Sequence, residues 1–471
     1  MKVDEQALRK LRADVRTVDS ELVGLLARRF RLVRKIGQLK KQLKASVIDP
    51  ATEKAVMENF LASATRTGID KSYARRLANL VIEGSVGIQM RPKKKVTTGD
   101  SMLKQLSETM RKAEREGRKL IRLDIGEPRF RTPRAAIRGA KRCFDQSAMM
   151  LYGSSAGLPA LADAIAERLN RQYGTKIGRS NVLIFPGARF AIFAAIFSSV
   201  SSLERVVLCR PAWPAYESCV AVAGGRTLSV SARLEDEWDI NLTALEDTLR
   251  LGPKMIVLNN PNNPTGKVLS AKTFQEIMQL AAKHHVTVLS DEVYASYSDT
   301  LAPSVLEYPD SEVIYVNSFS KEFSMTGWRI AYAVADEERI LGMRRIVETT
   351  LTNVPELIQR AAVAALKDTS DDAATGRRRI SRYLRVACEE LRKGDFEFCP
   401  PEGGFYIFPR MRRRGIDSEK FAKYVFEKYA VGILPGTIFG EYRDFFRLAT
   451  TESETAVKTG IRRIVRAMNE W

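Results

Sequence analysis

Histidine is nearly missing from this chain: of 471 residues only His284 and His285 are histidine, and they stand side by side. A nucleophile relay through imidazole, or a histidine-rich metal centre, is thereby nearly excluded. The five cysteines (Cys143, Cys209, Cys219, Cys388, Cys399) are odd in number and scattered. They lack the paired spacing of a zinc site or a disulfide framework and read as reduced packing residues, so no metal is expected. No apolar run approaches the length that spans a bilayer. "MKVDEQALRK" places charges where a signal peptide needs an apolar core, so a cytosolic location is the expectation.

What the chain does have is length, apolar content and positive charge. With 45% hydrophobic side chains it exceeds one ordinary core, which predicts two or three domains. The formal charge is +20, roughly half of it in the first hundred residues. Nucleic acid, an acidic membrane surface, anionic small substrates or plain solvation would each account for it.

Two grammars divide the sequence. Over residues 1–91 strand signals are almost absent. Leu8, Leu11, Val15, Val18, Leu22, Leu25, Leu32, Ile36, Leu39 and Leu43 follow a three-four spacing that draws one long helix with a single seam. Asp49 and Pro50 open a second helix, Gly68 ends it, and Asp70 opens a third running to about Gln89. A first helix too long to bury itself predicts pairing with another chain. "RPKKKVTTGDS" then reads as a linker over 92–101. From 102 to 471, runs such as "RVVLCR", "KMIVLNN", "VTVLSDE" and "VIYVNSFS" alternate with helical stretches, the pattern of an α/β domain with a mostly parallel sheet.

In such sheets ligands gather beyond the carboxyl ends of the strands. Those ends read "NNPNNPTG", "SDEVY", "NSFSK" and "RPAWPAY". A carboxylate, an amide, a phenol, a lysine, hydroxyls and an indole converging on one sheet edge suit pyridoxal phosphate. Its aldehyde wants an amine, its ring nitrogen a carboxylate, its O3′ donors, and its phosphate hydroxyls and arginine.

With these motifs in this order, residues from about 100 to 471 resemble a fold-type-I aminotransferase of class I and II, close to the aspartate and aromatic aminotransferases, with a smaller C-terminal α+β subdomain. The resemblance implies that Lys321 is the Schiff-base lysine, that Asp291 pairs with the pyridinium, and that Asn263 and Tyr294 hold O3′. It implies a phosphate seat on Gly187, Ala188, Ser318 and Arg329, and Trp213 stacked on the cofactor. Tyr152 of "LYGSSAGLPAL" would reach the phosphate of a neighbouring subunit, which implies a homodimer. Arg447 of "FFRLAT" would clamp the substrate α-carboxylate, and Gly126 of "DIGEP" would let backbone approach it. Arg189 of "PGAR" either helps hold the phosphate site or meets the distal carboxylate of an acidic substrate.

In the helical half, Arg29 occupies a position where the seam calls for an apolar residue. Lys40 lies about three turns on and on nearly the same face, whereas Arg12 is about a quarter-turn off. Two cations thus line one pocket while Arg12 points at another. This half resembles the all-helical chorismate mutases, from "LRADVRTVDSELVGLLARRFRLVRKIGQLK" through "VIDPATEKAV" to "VIEGSVGIQ". The resemblance implies that Arg29, and Arg12 from a partner chain, grip the two carboxylates of chorismate. Lys40 and Gln89 would donate to the ether oxygen, with Asp49, Glu53 and Ser85 orienting the rest. Thr52 departs from the arginine that many members carry beside the glutamate, which predicts a weaker hold on the substrate.

Together the halves predict a bifunctional enzyme: chorismate to prephenate, then transamination of prephenate or an aromatic keto acid with aspartate or glutamate as donor. A general aspartate aminotransferase with a weak or regulatory mutase is the alternative. A transcription regulator with an aminotransferase-like domain would need short helices and a β-wing, which the long first helix argues against, so nucleic acid is not an expected partner.

Overall fold

The computed structural model describes residues 5–43, 50–89, 99–144, 151–298, 300–368, 372–413 and 415–471. Asp49 lies outside them, and of Gln89 only the backbone is described. The chain divides into two compact units, Met1–Val96 and Thr97–Trp471. No helix among the described residues is long and apolar enough to cross a membrane.

The first unit consists of α1 (Glu5–Gln42), α2 (Pro50–Thr67) and α3 (Lys71–Gln89). Its start signals work as the sequence predicts: Pro50 opens α2, and Asp70 accepts the Ser72 and Tyr73 amides at 2.9 and 3.1 Å ahead of α3. At 38 residues α1 is unbroken and about 57 Å long. No helix-turn-helix with a β-wing occurs among the described residues of this unit. The buried core is small, comprising Val33 of α1, Ala64 of α2 and Ala74, Ala78, Val81 and Ile82 of α3. Gly84 lets α3 approach, since a Cβ there would stand 2.7 Å from the ring of Phe30. Most of the α1 seam is uncovered, with Leu11, Val15, Val18, Leu22, Leu25, Leu32, Ile36, Leu39 and Leu43 all exposed.

The second unit opens with α4 (Gly99–Arg115), which begins inside the stretch expected to be linker. Asp100 and Ser101 are favoured in a helix's first turn, and the apolar face of α4 fixes the rest. Met102, Leu103 and Leu106 pack on Trp238, Phe408, Ile438 and Phe439. Next comes a seven-stranded sheet ordered Val182–Phe185, Ala331–Val334, Val313–Ser318, Thr287–Asp291, Met255–Asn259, Arg205–Arg210, Arg226–Ser231. Ala331–Val334 alone runs antiparallel to its neighbours. The central strands are buried on both faces, which explains why they read as Val/Ile/Leu runs rather than alternations. A smaller subdomain gathers Asp372–Leu391, Ser418–Tyr429 and Glu454–Glu470 around the antiparallel strands Tyr406–Ile407, Phe446–Ala449 and Leu434–Pro435.

Candidate active site

Register decides which strand-end residues meet. Asn259 pairs with Asp291, Asp291 with Val316, and Ser318 with Ala331, so the polar closers of three adjacent strands share one edge. A cleft of about 360 Å³ lies over that edge, lined among others by Lys321, Asp291, Asn263, Tyr294, Arg329 and Arg447. Three larger clefts, about 580, 610 and 430 Å³, contain arginines but carry none of these groups, so chemistry rather than size selects the site.

Lys321 stands on a short helix, Phe319–Glu322, tied at both ends. Ser318 Oγ accepts the Ser320 amide at 2.9 Å, and Arg168 grips Glu322 at 2.7 Å. The amine donates to the Gly126 carbonyl at 2.6 Å. The residue as a whole is only half-buried, but its amine is packed inward, and burial pushes its pKa down to about 8; Arg447 and Arg329 add to this while Glu127 and Asp291 oppose it. A neutral, nucleophilic amine is therefore accessible near neutral pH.

Asp291 is buried and accepts from the Tyr216 hydroxyl at 2.6 Å. Burial raises its pKa to about 6 against the pull of Tyr216 and Lys321. A carboxylate this dehydrated gains most from a cationic partner. Beside it, the Asn263 side-chain amide donates to the Tyr294 hydroxyl at 3.5 Å, and the Asn263 carbonyl oxygen accepts from Arg447 Nη1 at 3.1 Å. Arg447 Nη2 donates to the Asp124 carbonyl at 2.6 Å, while its buried Nε has no partner among the described residues. The segment carrying Asp124 and Gly126 is anchored in turn: Arg122, 2% exposed, grips Asp124 with Nε and Nη2, both at 2.8 Å, and Glu114 at 2.7 Å.

On the opposite side Gly187 precedes the helix Ala188–Ser199 with φ +97°, a conformation that favours glycine. A Cβ there would stand 2.3 Å from Arg329 Nη2. A helix start, the Ser318 hydroxyl and a guanidinium thus share one corner, a ready seat for a phosphate. Arg329 itself takes φ +54°, outside the ordinary range of a side-chain-bearing residue. Trp213 stands edge-on to Tyr216 at 5.4 Å, and the Arg189 guanidinium lies 4.7 Å over its ring.

The cleft therefore gathers Lys321, Asp291, Asn263, Tyr294, Ser318, Arg329, Trp213, Ala188, Arg189, Gly126 and Arg447, with Gly187 adjoining. Tyr152 is not among its lining residues and is 89% exposed. Sequence reasoning missed Tyr216, although it closes the quoted "RPAWPAY", and it missed Tyr406. It also missed Leu103, Ser107 and Arg111, which line the cleft from one stripe of α4; their spacing of four was the available signal.

In the first unit Arg29 is half-buried, and its guanidinium donates to Ser85 Oγ and, at 3.4 Å, to the Val81 carbonyl. Burial lowers its pKa. Lys40 and Glu53 are also half-buried, whereas Arg12 and Thr52 are exposed. Along α1, Arg12 and Arg29 are about 25 Å apart, too far for one small molecule to touch both.

Residues 118–464 match the aminotransferase class I and II family. The chain belongs to that family. Ahead of this aminotransferase, residues 11–90 match chorismate mutase type II, so the enzyme joins the two activities. An aspartate aminotransferase of Sulfolobus acidocaldarius is 32% identical over 367 residues, 75% of this chain and 91% of the relative. A probable aspartate/prephenate aminotransferase of Aquifex aeolicus is 31% identical over 367 residues, 75% of this chain and 92% of its own length. The solved aspartate aminotransferase of Thermus thermophilus with maleate superposes with a TM-score of 0.75 at 26% identity, covering 80% of this chain and 100% of that one.

Class I and II aminotransferases of this fold generally depend on pyridoxal phosphate, and the aminotransferase cleft fits that group. The donor set answers each part of it: a buried carboxylate for the ring nitrogen, an amide and a phenol for O3′, an amine that readily loses its charge, and a glycine-lined helix start beside Arg329 for the phosphate.

Proposed function

We propose that the enzyme rearranges chorismate to prephenate in its helical unit. Its aminotransferase unit then acts on prephenate, or on phenylpyruvate and hydroxyphenylpyruvate, with aspartate or glutamate as amino donor, in the cytosol and as a homodimer. The observation that carries the large, anionic acceptor is the surplus of guanidinium in the cleft. Beyond Arg329 at the phosphate corner and Arg447 at the carboxylate position, Arg189 and Arg111 line its walls, with apolar Leu103 on the same stripe as Arg111.

In the aminotransferase unit Asp291 would hold the pyridine nitrogen, Asn263 and Tyr294 the O3′ oxygen, and Trp213 the ring face. Gly187, Ala188, Ser318 and Arg329 would seat the phosphate, joined by Tyr152 of the partner subunit. Pyridoxal phosphate, when bound, supplies an electron sink for the pair left when the substrate Cα–H bond breaks. Arg447 grips the α-carboxylate, and its planar fork fixes the orientation of that bond. The Lys321 amine would take up the proton from the substrate Cα and serve as the proton carrier of the site, a role its depressed pKa suits. Arg189 is placed to meet a second carboxylate.

In the mutase unit no nucleophile is required, because the rearrangement is pericyclic. Arg29 and Arg12 of the partner subunit hold the two carboxylates in a compact conformer. Lys40 and Gln89 stabilise charge on the ether oxygen, and Asp49, Glu53 and Ser85 orient the remainder. Pairing of two chains is supported by the span between Arg12 and Arg29 and by the uncovered seam of α1. Each large aliphatic side chain that it buried would contribute about 1.5–3 kcal/mol.

A second reading, a general aspartate aminotransferase whose mutase is weak, is favoured by exposed Thr52 and by the similarity to the aspartate aminotransferase of Sulfolobus acidocaldarius. Purified protein given chorismate, pyridoxal phosphate and aspartate or glutamate separates the two. The main reading expects chorismate to disappear with the appearance of arogenate, and phenylpyruvate or hydroxyphenylpyruvate, when supplied instead of chorismate, to yield phenylalanine or tyrosine. Chorismate unchanged while oxaloacetate or 2-oxoglutarate is aminated establishes the second.

A further inference from the structure

Four side chains of the cleft form a closed ring of contacts, and one of them has no assigned task. The Tyr406 hydroxyl lies 3.0 Å from the Tyr294 hydroxyl. Asn263 Nδ2 reaches the same Tyr294 oxygen at 3.5 Å, and Asn263 Oδ1 accepts from Arg447 at 3.1 Å. The circuit closes through π-density, because the Arg447 guanidinium lies 4.4 Å over the ring of Tyr406. The fit is tight on the remaining side: a Cβ on Gly126 would stand 1.8 Å from the Tyr406 oxygen. The Gly126 carbonyl meanwhile receives the Lys321 amine. Tyr406 is buried, and burial holds its hydroxyl in the protonated form.

We infer that Tyr406 is a positioning residue that couples the carboxylate clamp to the group holding the cofactor's ring oxygen; this rests on the cofactor assignment proposed above. The argument is one of donors and acceptors. A tyrosine hydroxyl has one proton to give and two lone pairs to fill. Either hydroxyl can give the proton of the Tyr294–Tyr406 pair; we assign it to Tyr406, which with the weaker Asn263 N–H fills the Tyr294 lone pairs and leaves the single Tyr294 proton directed into the cleft, toward the position assigned to O3′. The face of Tyr406 at the same time holds Arg447 flat. A carboxylate that draws Arg447 toward itself disturbs the ring and, through the hydroxyl, the strength of the Tyr294 donation. Substrate occupancy is thus reported to the cofactor's electronics without any movement of the sheet.

The test uses the cofactor-loaded, full-length enzyme and follows the pH titration of its visible absorption. Tyr406→Phe keeps the ring over Arg447 and removes only the hydroxyl. It is expected to raise the spectral midpoint by about 0.5–1 pH unit, the size of one neutral hydrogen bond. kcat should fall about tenfold, with KM for the amino donor nearly unchanged. Tyr294→Phe should raise the midpoint further, and adding Tyr406→Phe to it should then produce no additional shift, because both act through one donor. Tyr406→Leu, which also removes the aromatic face, should raise KM. An unmoved midpoint in Tyr406→Phe, or shifts in the double variant that sum independently, overturns the coupling while leaving the cofactor assignment intact. A wild-type protein that never shows the cofactor's visible absorption overturns both.

Discussion

The two units of this chain bring cations toward their sites in opposite ways. In the aminotransferase unit Arg447, Lys321 and Arg329 are drawn from segments more than a hundred residues apart in the case of Arg447 and Lys321, and the sheet brings them within one cleft of a single chain. In the helical unit Arg12 and Arg29 belong to one helix, and that helix is what keeps them apart. A mostly parallel sheet with helices on its faces frames most of a site within one chain. Three helices around a small apolar core would, on the proposed assignment, hold half of one, and the uncovered aliphatic seam of α1 supports a partner chain for the other half.

That contrast can be broken by experiment, beginning with the largest effect. Lys321→Ala should abolish transamination and the visible absorption of the cofactor-loaded protein while chorismate consumption, followed by its own absorbance, stays within about twofold of wild type. Loss of both activities together would show that the units do not work independently. Next, Arg12→Ala and Arg29→Ala should each cost the mutase on the order of a hundredfold, the scale of removing one preorganised donor of a charge-stabilising site. Mixed and allowed to exchange, the two inactive proteins should recover about a quarter of wild-type mutase turnover, since random two-fold pairing leaves one intact site in every mixed dimer. No recovery would place the whole mutase site within one chain.

The smallest effect concerns stability. Glu292, next to Asp291 and 1% exposed, accepts from Ser290 at 2.9 Å, and burial raises its pKa from an ordinary 4.5 to about 8. Its contribution to stability is therefore complete below about 4.5 and is lost as pH rises through about 8. Glu292→Gln, which keeps shape and cannot ionise, should flatten the fall in melting temperature over that window. An unchanged slope would assign the fall to other groups.

The sequence revealed the aminotransferase site well because its residues close Val- and Ile-rich strands, where position along the chain and position in space coincide. Lys321, Asp291 and Asn263 were legible for that reason. Tyr406 and the α4 stripe of Leu103, Ser107 and Arg111 were not: nothing local distinguishes a cleft-lining tyrosine from a core one, and their neighbours come from elsewhere in the chain. The start of α4 was obscured because "TGDS" serves equally as flexible linker and as helix opening. In the helical unit the three-four spacing disclosed the seam and the odd placement of Arg29. The contacts of Arg29 with Val81 and Ser85 depend on how α1 meets α3, which no periodicity states.

Arg329 bends its backbone to φ +54° at the spot assigned to the phosphate, a conformation that costs a side-chain-bearing residue on the order of 1–3 kcal/mol. A cofactor seated there would stabilise the folded unit by mass action, so copies lacking it would be the first to open to heat and proteases. In a cell short of vitamin B6 the amount of this enzyme would fall along with its turnover, and the mutase activity, which needs no vitamin, would decline because it shares the same polypeptide.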